Sequence, residues 1–174
     1  MASELRVDKI IPTTGVPTGG GGGVIQVVTG SYGSETDVTT TSYADSGLTC
    51  SITPKFSTSK ILIFVSQVFR VQRSATVANG GIRLVRDSTV IVQGPNQSSG
   101  IKPYGLQVDA TGSGTSEMTW ISRYNLTYLD SPNKTSATAY KTQQAVYSSG
   151  QFRTQYTTGG ENGTSYITLM EVSA

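Results

Sequence analysis

Lys60–Val71 reads KILIFVSQVFRV, and this stretch decides the fold. From Ile61 onward both alternating rows are largely apolar: Ile61, Ile63, Val65, Phe69 and Val71 on one, Leu62, Phe64 and Val68 on the other. Successive side chains of a strand point to opposite faces, so a half-wet strand alternates apolar with polar residues. A strand apolar on both rows is expected to be covered on both faces. Full burial of each such side chain contributes roughly 1.5–3 kcal/mol. The surplus row points to burial by a second copy of the chain, with Phe64 and Phe69 as the expected contact residues, although an inner strand would explain it too.

The flanking sequence repeats the alternation. Tyr43–Thr53 carries Ala44, Leu48, Cys50 and Ile52 on one row and ends at Pro54. Residues 73–80 read as a polar loop. Ile82–Val92 reads as a hairpin, IRLV and TVIV around Arg86-Asp87-Ser88, with Asp favouring the turn. Residues 93–116 are rich in Gly and Pro and read as loops, with one short strand at Tyr104–Val108. MTWISRYNLTYL places Met118, Trp120, Tyr124, Leu126 and Tyr128 on one face, and strand packing explains these aromatics better than a sugar-stacking platform. Asp130-Ser131-Pro132-Asn133 is a turn. ATAYKTQQAVY mixes helix-favouring Ala, Lys and Gln with strand-favouring Thr and Tyr, and its neighbours decide for strand. In the last strand Tyr166, Thr168, Met170 and Val172 oppose Ile167, Leu169 and Glu171, and this strand is expected to be central. Roughly eight to ten strands with turns about every 8–12 residues predict an all-β antiparallel sandwich or barrel.

That domain is expected over residues 24–174. Ahead of it Gly19–Gly23 form an uninterrupted glycine hinge over 19–23. No Lys-Ser/Thr follows and a strand comes next, so the run is not a phosphate loop. Residues 1–18 read as an arm, with one short strand in SELRVDKII and four apolar residues, Leu5, Val7, Ile10 and Ile11, as its docking contacts.

Composition narrows the function classes. Charged residues make 14% of the 174, against a typical ~25%, and Ser, Thr, Asn and Gln fill the gap. Such a neutral, hydroxyl-rich surface suits a virion, extracellular or adhesive protein. A net charge of +2 with no Lys/Arg cluster argues against nucleic acid as a partner. No stretch approaches the ~20 apolar residues of a membrane helix, and MASELRVDKI lacks the apolar core of a signal peptide. The absence of histidine removes Ser-His-Asp and Cys-His catalysis and His-liganded zinc or copper. The lone Cys50 lies on a period-2 row and reads as a small buried strand residue. The carboxylates are scattered; Asp109 with Glu117 or Asp130 is the nearest approach to a glycosidase pair, and solvated loop charges explain them better. No enzyme and no cofactor are expected.

SELRVDKIIPTTGVPTGGGGG, ITPKFSTSKILI and LDSPNKTSATAYK together resemble small virion proteins of marine and freshwater phages, especially cyanophages. KILIFVSQVF, IRLVRDSTVI, YLDSPNKTSATAYKTQ and a final strand are also similar in order to the C1q/TNF-like jelly roll. The resemblance implies a homotrimer packed around an inner sheet, on the exterior surface of a virion. Three functions are then open. The first is a capsid decoration or cement protein docked through its arm on other virion proteins, either the major capsid protein or tail and portal proteins. The second is a short tail-fibre or head-fibre knob contacting a host-surface glycan or receptor through loops 93–116. The third is a polysaccharide-degrading enzyme, which the missing constellations disfavour. Only a glycine hinge lies between arm and domain, with no heptad or repeat shaft, and this favours decoration.

Overall fold

The computed structural model describes residues 23–73, 77–94, 106–109, 118–147, 151–156 and 163–173. They form eleven strands: β1 (Val24–Tyr32), β2 (Thr36–Val38), β3 (Ala44–Ile52), β4 (Lys60–Arg73), β5 (Val77–Arg86), β6 (Thr89–Val92), β7 (Leu106–Asp109), β8 (Met118–Asp130), β9 (Thr138–Tyr147), β10 (Gln151–Thr154) and β11 (Ser165–Val172). Every pairing is antiparallel. The strands make two sheets, as the alternation predicted. The ambiguous 137–147 segment is strand from Thr138 onward, because both edges of β9 are paired, with β3 and with β5.

β4 organises the larger sheet. One edge pairs along its length with β8; the other pairs first with β11 and then, beyond Val68, with β10. β1 and β2 complete the two halves, outside β11 and β10 respectively. The last strand, β11, is thus internal, between β1 and β4. The smaller sheet runs β3-β9-β5, with β6 and β7 sharing the far edge of β5. Residues 77–80, expected as part of a loop, are the first part of β5, because β7 pairs all four and β9 pairs Asn79 and Gly80 from the other side. The strand expected at Tyr104–Val108 is β7, over Leu106–Asp109. The hairpin turns at Asp87, whose φ of 52° is the left-handed region that Asp tolerates.

The core lies between the sheets in two apolar clusters. Leu48, Ile52, Ile61, Ile63, Val65, Leu84, Tyr140, Ile167 and Leu169 form the first, and Cys50 is buried with them. Val38, Phe69, Val71, Ile82, Val146 and Phe152 form the second. Phe69 and Phe152 stack with ring centroids 5.8 Å apart. A hydrogen-bonded polar group is also buried within the sandwich. Ser46 Oγ lies 2.6 Å from Thr142 Oγ1 and accepts from Gln67 Nε2 at 2.9 Å. With its amide nitrogen toward Thr154 and the Ser46 carbonyl, Gln155 accepts from Gln67 at 2.8 Å. Partnering of this kind is what lets polar side chains stay buried.

Two carboxylates pin the loops. Asp130 accepts from Arg86 Nη1 through both oxygens, at 2.9 and 2.8 Å, and from the buried Tyr140 hydroxyl at 2.7 Å. Burial first, and then this bond, push the Tyr140 pKa well above the ordinary phenol range. Glu171, on the inward row of β11, is fully buried. Its oxygens accept from the Gln26 amide and from the backbone N–H groups of Lys55 and Phe56. Burial works to raise its pKa, but these donors outweigh burial and hold it below the ordinary carboxylate value.

Candidate assembly face

The two rows of β4 have different fates. Ile61, Ile63, Val65, Gln67, Phe69 and Val71 point at the smaller sheet and are buried. Leu62, Phe64, Ser66, Val68 and Arg70 point away from it, on the outer face of the larger sheet. Phe64 is 40% exposed there, so its expected place at a surface open to a second chain is available. Phe69 corrects the expectation: at 1% exposure, stacked on Phe152, it belongs to the chain's own core and cannot also meet a partner. Parity separates the two residues, since side chains five positions apart on a regular strand point to opposite faces.

The ladder registers build the outer face in four-strand rungs. Val27, Met170, Leu62 and Leu129 lie side by side across β1, β11, β4 and β8. The next rung is Thr29, Thr168, Phe64 and Thr127, and the one after is Ser31, Tyr166, Ser66 and Asn125. None of these side chains is charged at neutral pH. A shallow groove of about 270 Å³ lies between Phe64 and Tyr166, with Asn125, Thr127 and Thr168 along its walls. Val27, Leu129 and Tyr166 are each close to half exposed.

β8 borders this face and is exposed on both rows. Among the described strands it pairs only with β4. On its inward row Tyr124 and Leu126 are partly buried, but Trp120 is 57% exposed and Tyr128 is exposed as well. Strand packing, expected from the sequence to account for Trp120, therefore does not: Tyr124 and Leu126 pack against the core clusters, while the Trp120 end of the strand is left exposed. Ile121 and Leu129, on the outward row, are exposed too.

The docking residues Leu5, Val7, Ile10 and Ile11, the arm and most of the hinge lie outside the described residues, as do Glu117 and the Asp109 side chain. Asp130 is engaged with Arg86 and Tyr140 and is not a free acid or base. Among the described residues no three of His, Cys, Asp and Glu gather to hold a metal. Reading the sequence singled out Phe64 but missed Val27, Leu129 and Tyr166 as its neighbours. Their alternation was visible; which strands lie side by side was not. No protein-family model matches this chain, and no curated protein matches it either.

Proposed function

We propose that this protein is a non-enzymatic structural module of a phage virion: a trimeric decoration or cement protein on the capsid exterior, docked through residues 1–18. The observation that carries self-assembly is the uncharged outer face around Phe64, and the resemblance to the C1q/TNF-like jelly roll sets the number of copies at three. Four strands at ~4.8 Å spacing and three rungs make a patch of only about 20 by 17 Å. A stable interface needs roughly 800 Å² per partner, so the face alone is too small. The exposed aromatic edge of β8 is continuous with it and supplies the rest. A head-to-tail contact, with the β8 edge of one copy against the Phe64 face of the next, uses both patches on every chain, and a turn of one third per copy closes it as a ring of three. The order β1-β11-β4-β8 over β3-β9-β5-β6 supports reading the sandwich as a jelly roll.

Sedimentation of the full chain tests the trimer. The wild type is expected to run as three chains at micromolar concentration, and Phe64→Asp as a folded monomer; a monomeric wild type refutes the reading. Removing residues 1–18 is expected to leave a stable trimer that no longer binds particles. Loss of the trimer instead would make the arm an internal clasp. Imaging labelled protein on virions separates capsid from tail, and a tail position would favour the fibre knob, for which the exposed Trp120 is a ready sugar platform.

A further inference from the structure

The outer-face groove between Phe64 and Tyr166 holds about 270 Å³. Pockets that enclose drug-sized molecules run to ~300–1,000 Å³, so this one has room for a single side chain or ring. Phe64 and Tyr166 give it two exposed aromatic walls. Asn125, Thr127 and Thr168 add neutral hydrogen-bonding groups, and no described residue bonds the Asn125 side chain. Trp120 is the most exposed large apolar side chain among the described residues, and it is the chain's only tryptophan. Its own groove is closed to it. The ladder sets Trp120 opposite the inward-facing Val71, so the indole leaves the sheet on the side away from the groove. Asn125 and Thr127 also lie five and seven residues further along β8, about 17–23 Å away at ~3.3 Å per residue. A Trp120 that enters such a groove belongs to another copy.

We infer that the side chain seated in the groove is Trp120 of the neighbouring copy. This rests on the head-to-tail contact proposed above and names the two halves that make it. The inward row of β8 carries no charge from Trp120 to Tyr128, so a neutral row meets a neutral groove and no unpaired charge is buried with the indole. A buried indole N–H needs an acceptor, and the Asn125 side-chain carbonyl on the groove wall supplies it. Tryptophans seated in fitted pockets are enriched among the residues that dominate binding energy. Because the indole and the groove lie on opposite faces of the larger sheet, each copy offers both halves at once, one to the copy before it and one to the copy after.

Two variants of the full chain separate the halves. Phe64→Asp spoils the groove and keeps the indole; Trp120→Ala keeps the groove and contains no tryptophan, so it is silent under excitation selective for indole. Each alone is expected to be a folded monomer by sedimentation and thermal unfolding. Trp120→Ala is then titrated into Phe64→Asp while emission and acrylamide quenching are followed. One intact groove meets one intact indole in this mixture, so a 1:1 complex is expected without a ring. Losing ring closure gives up roughly 10²–10⁴ in avidity, so the titration runs to ~100 μM. Emission should move to shorter wavelength and saturate, with quenching reduced by about half as the indole enters a desolvated pocket. No change up to that concentration overturns the inference, and so does a Trp120→Ala chain that still sediments like the wild type. Sedimentation of the wild type keeps the two readings apart. A trimeric wild type whose variants show no emission change leaves the trimer standing and removes only the Trp120 contact, whereas a monomeric wild type refutes the assembly and this contact with it.

Discussion

Replacing Gly80 by alanine tests how closely the sheets approach. Gly80 sits on β5, facing Phe152 of β10 across the sandwich, and its φ is not in the left-handed region. On backbone grounds alanine is therefore acceptable, and it should stabilise by about 0.4–1 kcal/mol through the unfolded chain. Packing opposes this. The new methyl would lie 1.9 Å from Phe152 Cδ2 and 2.5 Å from two other ring carbons. Carbon contacts settle near ~3.5–4 Å, so the ring would have to retreat by more than about 1.5 Å. Phe152 is fully buried and stacked on Phe69, with little room to move. Overpacking of this kind costs about 1–3 kcal/mol, and the rigid neighbour places it toward the upper end. With a urea dependence of about 2 kcal/mol per molar, the unfolding midpoint should fall by roughly 1 M. Phe152→Ala alone should cost about 3–5 kcal/mol. In that background the ring is gone, and Gly80→Ala should change sign and become neutral or stabilising. If Gly80→Ala costs the same with and without the ring, the contact is not the source of the strain and the reasoning fails.

Phe69→Asp, unlike Phe64→Asp, should abolish the fold itself, seen as loss of the cooperative thermal transition; a folded monomer would show that Phe69 had been misplaced. Because the Glu171 pKa is lowered on folding, its carboxylate adds stability that is fully present above its ordinary value of 4.5 and is lost as pH falls through the lower folded value. Glu171→Gln should cost about 1–3 kcal/mol at pH 7 by urea unfolding; the gap to wild type should narrow in acid, and a gap constant down to pH 2.5 contradicts the assignment. Burial raises the Cys50 thiol pKa, so alkylation at pH 8 should be slow in the native protein and fast in denaturant. Equal rates in both would mean that the first core cluster is open to solvent.

Much of the architecture was legible in one dimension because a strand's periodicity is local. The two alternating rows of β4, the β5–β6 hairpin, the turn after Asp130 and the opposed rows of β11 each follow from alternation and turn chemistry within a few residues. What sequence left open were relations between strands distant in the chain. Val27, Met170, Leu62 and Leu129 form one rung only because β1, β11, β4 and β8 are neighbours in that order. Residues 77–80 looked like loop, but β7 pairs all four and β9 pairs Asn79 and Gly80. Trp120 looked like core because an apolar row implies a covering sheet, yet the core covers Tyr124 and Leu126 of that row and leaves Trp120 exposed. Phe64 and Phe69 looked equivalent in an apolar segment; tertiary structure gave one row to the core and left the other at the surface. The sequence determined which residues alternate. Only the tertiary structure decided which row met the second sheet, because burial belongs to pairs of surfaces and not to a strand alone.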